Sequence, residues 1–305
     1  RLSALSKTLR APALMGASHT VLVRSDGEAA PLGQNDFGQC RVPELPTGVG
    51  YVQAATGAEH TVLLRSDGEV VAFGNEEGGR CNVPELPGGC RYVAVAAGAS
   101  HTVLIRSDGA ALAFGDEGSQ RCAVPELPEG LEYVDVAAGW EHTVLLRSDG
   151  SVVACGTPDA RCDLPGLDGT GARYTGVFAG ADCTLLLRSD GIASAHSRMD
   201  YILPSLPYGR VYVAGAMSFE RMILLRDDGA AVAVVPPGRE EFRAPSRPRG
   251  CRYTGVFAGR THFVLQRSDG VATVHMQEGG SLDVPATIPA LPKSLSYVPS
   301  FRRSA

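Results

Sequence analysis

Apolar and polar positions alternate in a fixed order over the stretch 92–127, and that order predicts three strands. Tyr92-Val-Ala-Val-Ala-Ala-Gly98 is a β-branched and small-residue run ended by glycine, and His101-Thr-Val-Leu-Ile-Arg106 is a second apolar run. Asp108-Gly109 then reads as a tight type I′ hairpin with positive φ at both residues, followed by a third strand from Ala110 to Phe114. A polar loop over 116–120 precedes Val124-Pro125-Glu126-Leu127-Pro128, where two prolines forbid a central strand but suit an outer edge. The same order returns along the whole chain. Arg-Ser-Asp-Gly recurs at Arg24, Arg65, Arg106, Arg147, Arg188 and Arg267, with Arg226-Asp227-Asp228-Gly229 as a near copy, at spacings of 41, 41, 41, 41, 38 and 41. A tyrosine stands 14 residues before each arginine from the second unit onward, and Tyr297 opens an eighth, unfinished unit.

One such meander cannot bury both of its faces, so neighbouring copies must stack, and seven copies close a ring. A linear solenoid would need capping repeats with polar outer faces, and the terminal units here look like the others. The expected fold is therefore all-β, a seven-bladed β-propeller of about 41-residue repeats over 10–301, with an extension at 1–9 and a tail at 302–305. Pro12 and Pro299 occupy matching places in two segments that both align with the first strand of unit one. Both cannot fill one slot, so the two ends of the chain are expected to meet, one completing blade one and the other lying beside or outside it.

Composition changes this picture by exclusion. The 28 Lys and Arg against 33 Asp and Glu leave a net charge of −5 and no basic stripe, so no nucleic-acid partner is expected. Asp-Gly or Pro interrupts every apolar stretch well short of the roughly 18 residues a membrane span requires. Arg1, Lys7 and Arg10, with three hydroxyl residues and no acid before Ala11, resemble the end of an organelle-targeting segment, though a polar linker would read the same way. Eight cysteines without a Cys-x-x-Cys pair point to an intracellular thiol-containing chain, cytoplasmic or organellar.

Gly33-Gln-Asn-Asp-Phe-Gly-Gln39 followed by Val42-Pro43, and the run from Val95 to Leu104, resemble the repeat signature of the regulator-of-chromosome-condensation family. The resemblance covers 10–297. The short period is similar to the compact three-strand variant of the repeat, known from a bacterial propeller that inhibits β-lactamases. What the resemblance implies is a propeller scaffold; the functions found on it include GTPase exchange, substrate capture in ubiquitin ligases, enzyme inhibition and UV-B sensing. The last uses clustered tryptophans, and this chain has only Trp140.

If the first strand runs up, the second down and the third up, the Gly-x-x-His loops and the loops after the third strands share one face, and the Asp-Gly turns take the other. The Asp-Gly face is nearly invariant among the seven units. The upper face varies in sequence and is where length changes fit, so it is the expected binding surface. Its candidate partner-binding residues are Trp140, Glu141, Phe219, Glu220, Met199, Arg198, Arg260, Glu76 and Glu77. Blades two to four are expected to be acidic, while blades five to seven mix Arg, Met and Phe, the chemistry enriched in hot spots.

His19, His60, His101, His142 and His262 hold one place in five units, with Cys183 and Arg221 in the other two. Equal places on diverging blades cannot converge on one metal ion, so each imidazole is expected to tie down its own loop. Cys40, Cys81, Cys122 and Cys162 recur in register as small apolar fillers. No catalytic constellation, metal or cofactor is expected. The reading is a non-catalytic scaffold that binds a protein partner, as a fixed subunit of a larger assembly or, alternatively, as a regulator resembling an exchange factor, a ligase substrate adaptor or an enzyme inhibitor.

Overall fold

The computed structural model describes residues 19–218, 221–238, 244–258 and 262–276, together with Ile288 and Tyr297. Blade one holds β1 (His19–Val23) and β2 (Ala29–Gly33), and blade two holds β3 (Tyr51–Thr56), β4 (His60–Arg65) and β5 (Val70–Gly74). Blade three is β6 (Tyr92–Ala97), β7 (His101–Arg106) and β8 (Ala111–Gly115), and blade four is β9 (Tyr133–Ala138), β10 (His142–Arg147) and β11 (Val152–Gly156). Blade five is β12 (Tyr174–Ala179), β13 (Cys183–Arg188) and β14 (Ala193–Ser197). Blade six is β15 (Tyr212–Met217), β16 (Met222–Arg226) and β17 (Ala231–Val234), and blade seven is β18 (Tyr253–Ala258), β19 (His262–Arg267) and β20 (Ala272–Met276). The result is a seven-bladed β-propeller: among the described residues, six three-stranded antiparallel meanders and a first blade with two strands.

Tyr297 supplies the missing partner of blade one. It bridges Arg24 in antiparallel fashion, the pairing that Tyr92 makes with Arg106 and Tyr212 with Arg226 elsewhere. Its ring is buried in a cluster with Leu22, Phe257 and Val264, and its carbonyl accepts a hydrogen bond from the Gln266 amide. Tyr297 thus holds in blade one the place that the first-strand tyrosine holds in the other blades. The segment around Pro12 lies outside the described residues.

The lower turns depart from the expected type I′ geometry. Asp108 does not have positive φ; only Gly109 does, at +81°. The loop is three residues long, Ser107-Asp108-Gly109, closed by Gly109 N–H donating to the Arg106 carbonyl at 3.0 Å and Arg106 N–H to the Ala110 carbonyl at 2.8 Å. This is a type I turn followed by a glycine bulge, the three-residue solution that also matches strand twist. Every residue of the tetrapeptide is then structurally occupied. The arginine pairs with its own aspartate in blades two and three. The Ser107 hydroxyl accepts the Arg91 N–H at 3.1 Å. A side chain on Gly109 would collide with Glu132, its Cβ falling 2.5 Å from that residue's Cγ.

The proline-bearing segments run outside the third strands without pairing to them. Each is fastened by the tyrosine of the next blade, whose hydroxyl donates to the first proline's carbonyl: Tyr51 to Pro43 at 2.9 Å, Tyr92 to Pro84 at 2.8 Å and Tyr133 to Pro125 at 2.7 Å. Val83 and Leu86 pack inward against the seam between blades two and three.

The recurring histidines do not tie down their own loops in the way expected; they join blade to blade. His19 Nε2 lies 2.8 Å from Thr61 Oγ1, His60 is 3.0 Å from Thr102, His101 2.9 Å from Thr143 and His142 2.9 Å from Thr184. His262 of blade seven reaches Thr20 of blade one at 2.5 Å and so closes the ring. Thr61, Thr102, Thr143 and Thr184 each donate to a carbonyl, of Gln39, Arg80, Arg121 and Arg161 in turn. A hydroxyl that donates there must accept from the imidazole, which fixes the Nε2–H tautomer. Thr102→Val keeps the shape but strands both the His60 N–H and the Arg80 carbonyl, and should cost about 2 kcal/mol of stability in chemical denaturation.

Candidate protein-binding face

Antiparallel order puts the loop after each first strand beside the loop after each third strand, and backbone bonds lock the two together. Asn75 N–H donates to the Glu59 carbonyl and Asp116 N–H to the Ser100 carbonyl, both at 2.9 Å. The Asn75 side chain adds a bond to Glu59 Oε2 at 2.8 Å. Thr157 N–H repeats the bond to the Glu141 carbonyl at 3.3 Å, so the upper face of blades two to four is a set of braced loop pairs. The half-buried thiols sit inside the loops, with Cys40 Sγ 3.1 Å from the Gln34 carbonyl and Cys81 Sγ 3.6 Å from that of Asn75. They cap loop carbonyls as well as filling space, and burial pushes both up to about 11.

A second brace was not recognised from sequence. Arg80, Arg121 and Arg161 are buried, although arginine is among the residues least often found inside. Arg80 and Arg121 donate through Nε to a carbonyl of their own loop, Glu77 and Gly118 respectively, at 2.7 Å. Arg121 continues to the Trp140 carbonyl of blade four at 3.1 Å, and Arg161 to the Ala181 carbonyl of blade five at 3.0 Å. The signal was present as an Arg-Cys dipeptide at Arg80, Arg121 and Arg161, with Gln39 in blade one.

Among the described residues Arg161 is the centre of the densest charge network on this face. Its side chain is 1% exposed and stands 2.6 Å from Asp159, 3.3 Å from Glu141 and 3.6 Å from Asp182. Arg198 of blade five reaches back to the same Asp159 at 2.6 Å. The hydrogen bond from Arg161, aided by Arg198, holds the Asp159 carboxyl far below the usual carboxylate range.

Of the residues singled out from sequence, Glu141 and Arg198 thus meet at the boundary of blades four and five. Trp140 is half-buried at the same boundary, its N–H donating to the Gly180 carbonyl at 3.2 Å. Met199 is half-buried, with its N–H on the Ser197 hydroxyl at 2.9 Å. Glu76 and Glu77 are exposed on blade two, away from that network in sequence and in blade position. Phe219, Glu220 and Arg260 lie outside the described residues. Among the described residues no three His, Cys, Asp or Glu are placed to hold a metal ion, and no helix is long and apolar enough to cross a membrane.

The family model for the regulator of chromosome condensation (RCC1) repeat matches residues 133–159, which span all of blade four's strands and the loop carrying Asp159. Blade four is thus similar to an RCC1 repeat, and the chain as a whole has the propeller fold. The propeller superposes on human WBSCR16 with a TM-score of 0.63 at 16% identity, covering 82% of this chain and 79% of that one. The ectodomain of the Arabidopsis thaliana receptor kinase ACR4 gives 0.64 at 18% identity, with 87% and 90% covered. Yeast RCC1 (Prp20), in a structure bound to Kap60, gives 0.55 at 19%, with 86% and 68% covered. At these identities the likeness is one of fold, and a fold shared by a receptor ectodomain and a Kap60-bound protein carries no single function. No curated protein sequence matches the chain.

Proposed function

We propose that this propeller is a non-catalytic scaffold that binds a protein partner through its upper face, at the boundary of blades four and five. The observation that carries the reading is the division of labour between the faces. On the lower face the repeated Arg-Ser-Asp-Gly residues are taken up by turn closure and blade docking. On the upper face of blades two to four the loops are held by backbone bonds and buried arginines, while the side chains they present differ from blade to blade. A rigid frame with variable tips suits recognition, because little conformational entropy is lost on binding. Trp140 and Arg198 are of the residue types that dominate hot spots.

The regulatory reading draws on a different feature. Glu76, Glu77 and Glu117 are exposed acids on neighbouring blades, and such a surface would steer a basic partner into transient, salt-sensitive contact. Affinity capture from the native source with the full chain separates the two. A fixed subunit should retain its partner at high salt; a regulator should lose it as ionic strength rises. In either case Trp140→Ala with Arg198→Ala is expected to abolish capture, and Glu69→Ser on the lower face to leave it intact. Capture that survives the double variant but fails with the lower-face variant would put the site on the other face.

A further inference from the structure

Seven turns of one form make the lower face flat. In each of them the glycine has φ between +77° and +89°, and its N–H donates to the arginine carbonyl at 2.9 to 3.0 Å, so no turn projects beyond the others. Between the turns run the connecting segments 47–50, 88–91, 129–132, 168–173, 208–211 and 247–252. The last residue of each lies over the preceding blade's turn glycine, Gly50 on Gly27, Glu132 on Gly109 and Arg252 on Gly229 among them. The seventh segment lies outside the described residues.

The residues around the repeated tetrapeptide divide this face by sign. Setting aside the arginine and aspartate of each tetrapeptide, the turns and segments of blades one to three carry Glu28, Glu69, Glu129 and Glu132 against Arg91 alone. From blade four to blade six they carry Arg173, Arg210, Arg247, Arg249 and Arg252 against Asp168 and Asp227. Both of those aspartates are already paired, Asp168 with Arg188 at 2.7 Å and Asp227 with Arg210 at 3.4 Å. Arg247 donates to the Asp228 carbonyl at 2.7 Å, and Arg249 and Arg252 are exposed with no carboxylate partner among the described residues. Apolar groups collect towards the basic side. The residue after the turn glycine is glutamate in blades one and two, but Ile192 in blade five and Val271 in blade seven, 54% and 45% exposed. Tyr208, on the segment between blades five and six, is fully exposed.

Blades one to three and blades four to six stand on opposite sides of a seven-bladed ring. A twofold axis lying in the plane of the face therefore lays the basic side of one copy over the acidic side of another, and does so twice in the same contact. An arginine patch alone would suit any polyanion; the matching acidic patch on the same flat face is what selects a second copy. Each copy carries a net charge of −5, so two copies repel in orientations that lack such a match. We propose that this chain pairs with itself, lower face to lower face, the arginines of blades four to six meeting the glutamates of blades one to three in both directions. Ile192, Val271 and Tyr208 add apolar contact that exposed charge pairs, each of small effect, do not supply. The pair turns both upper faces outward, so this inference stands or falls separately from the partner site proposed there.

Sedimentation equilibrium on the full chain tests it. At low salt the mass is expected to rise with concentration from 31.9 kDa toward twice that value. It should return to the monomer as salt is raised toward about 1 M, where charges are screened within about 3 Å. A mass that stays monomeric at low salt up to about 1 mM, where even a very weak pair forms, would overturn the proposal. Arg249→Glu with Arg252→Glu, and separately Glu69→Arg with Glu132→Arg, change only exposed side chains, and each double variant is expected to be monomeric. Mixed in equal amounts, the two should form a heterodimer. The new acids of the first then meet the new arginines of the second, while the glutamates left native in the first meet the arginines left native in the second. A mixture that stays monomeric, or a dimer indifferent to salt and to these substitutions, would equally overturn it.

Discussion

Acidification from neutral pH to about pH 4 is expected to unfold the propeller steeply, because the ring is joined through imidazoles that burial keeps neutral. Desolvation holds His19 and His262 at about 4 and His60 and His142 at about 3, and pushes His101 well below its ordinary 6.5. In the folded state a proton added at Nδ1 would find no acceptor among the described residues. The unfolded chain meets no such obstacle and takes up protons from about pH 6.5 downward. A folded-state value depressed below the unfolded one means stability that is complete above 6.5 and lost as pH falls toward the folded value. Each such histidine contributes a slope of about 1.4 kcal/mol per pH unit, so five acting together approach roughly 7. That exceeds the whole stability of an ordinary domain within two units. The aspartates of the lower turns act in a separate window. Asp108 and Asp228 are held at about 2 by their arginine partners, so their contribution begins to fade only below about 4. Melting temperature followed by circular dichroism in half-unit steps should therefore fall sharply between pH 6 and pH 4.5, and a flat profile there would contradict the buried, neutral state of the relay.

A single methyl group added at Gly98 should be almost as damaging. The glycine has ordinary φ, so the obstacle is space rather than backbone conformation. Its Cβ would stand 2.2 Å from Cε1 of His101 and 2.4 Å from the Gly139 carbonyl oxygen. Neither neighbour can yield cheaply, since the imidazole is bonded to Thr143 and the carbonyl belongs to the next blade's own tight loop. Gly98→Ala is expected to cost about 3 kcal/mol or more, by forcing the seam of blades three and four apart. Gly89 offers the contrast. It has φ of +83° with nothing within 4 Å of a Cβ, so Gly89→Ala should cost only the left-handed penalty, about 1 to 2 kcal/mol. Urea denaturation of the two variants side by side checks the order, and equal midpoints would mean the seam is looser than its distances imply.

These expectations rest on contacts that were legible in the chain to very different degrees. The blades were legible because strand, turn and strand are local, and a tetrapeptide returning at a constant interval marks each hairpin. The turn type was not, because Asp-Gly suits both two-residue and three-residue loops and only the position of the ladder bonds separates them. The histidines were found, but their partners were not, since which blade lies next in space is a property of ring closure. Even so, the pairing left a trace: where the histidine becomes cysteine, the threonine one unit later becomes methionine. The buried arginines were passed over because a charged residue after a polar loop is ordinarily solvated, and nothing local shows that neighbouring loops enclose it. The candidate face was legible only as a face; the network around Arg161 that organises it depends on residues from two blades.

The pairing of Arg24 with Tyr297 has a consequence for synthesis. The strands of blade one leave the ribosome before the rest of the propeller, and their third partner emerges only after more than two hundred further residues. At ordinary elongation rates that interval is on the order of tens of seconds. During it the inner edge of β1 carries unpaired backbone groups that any free strand could match. The first blade of the propeller to be made is thus the last to be finished, and it is the place where the growing propeller most needs to be kept from strangers.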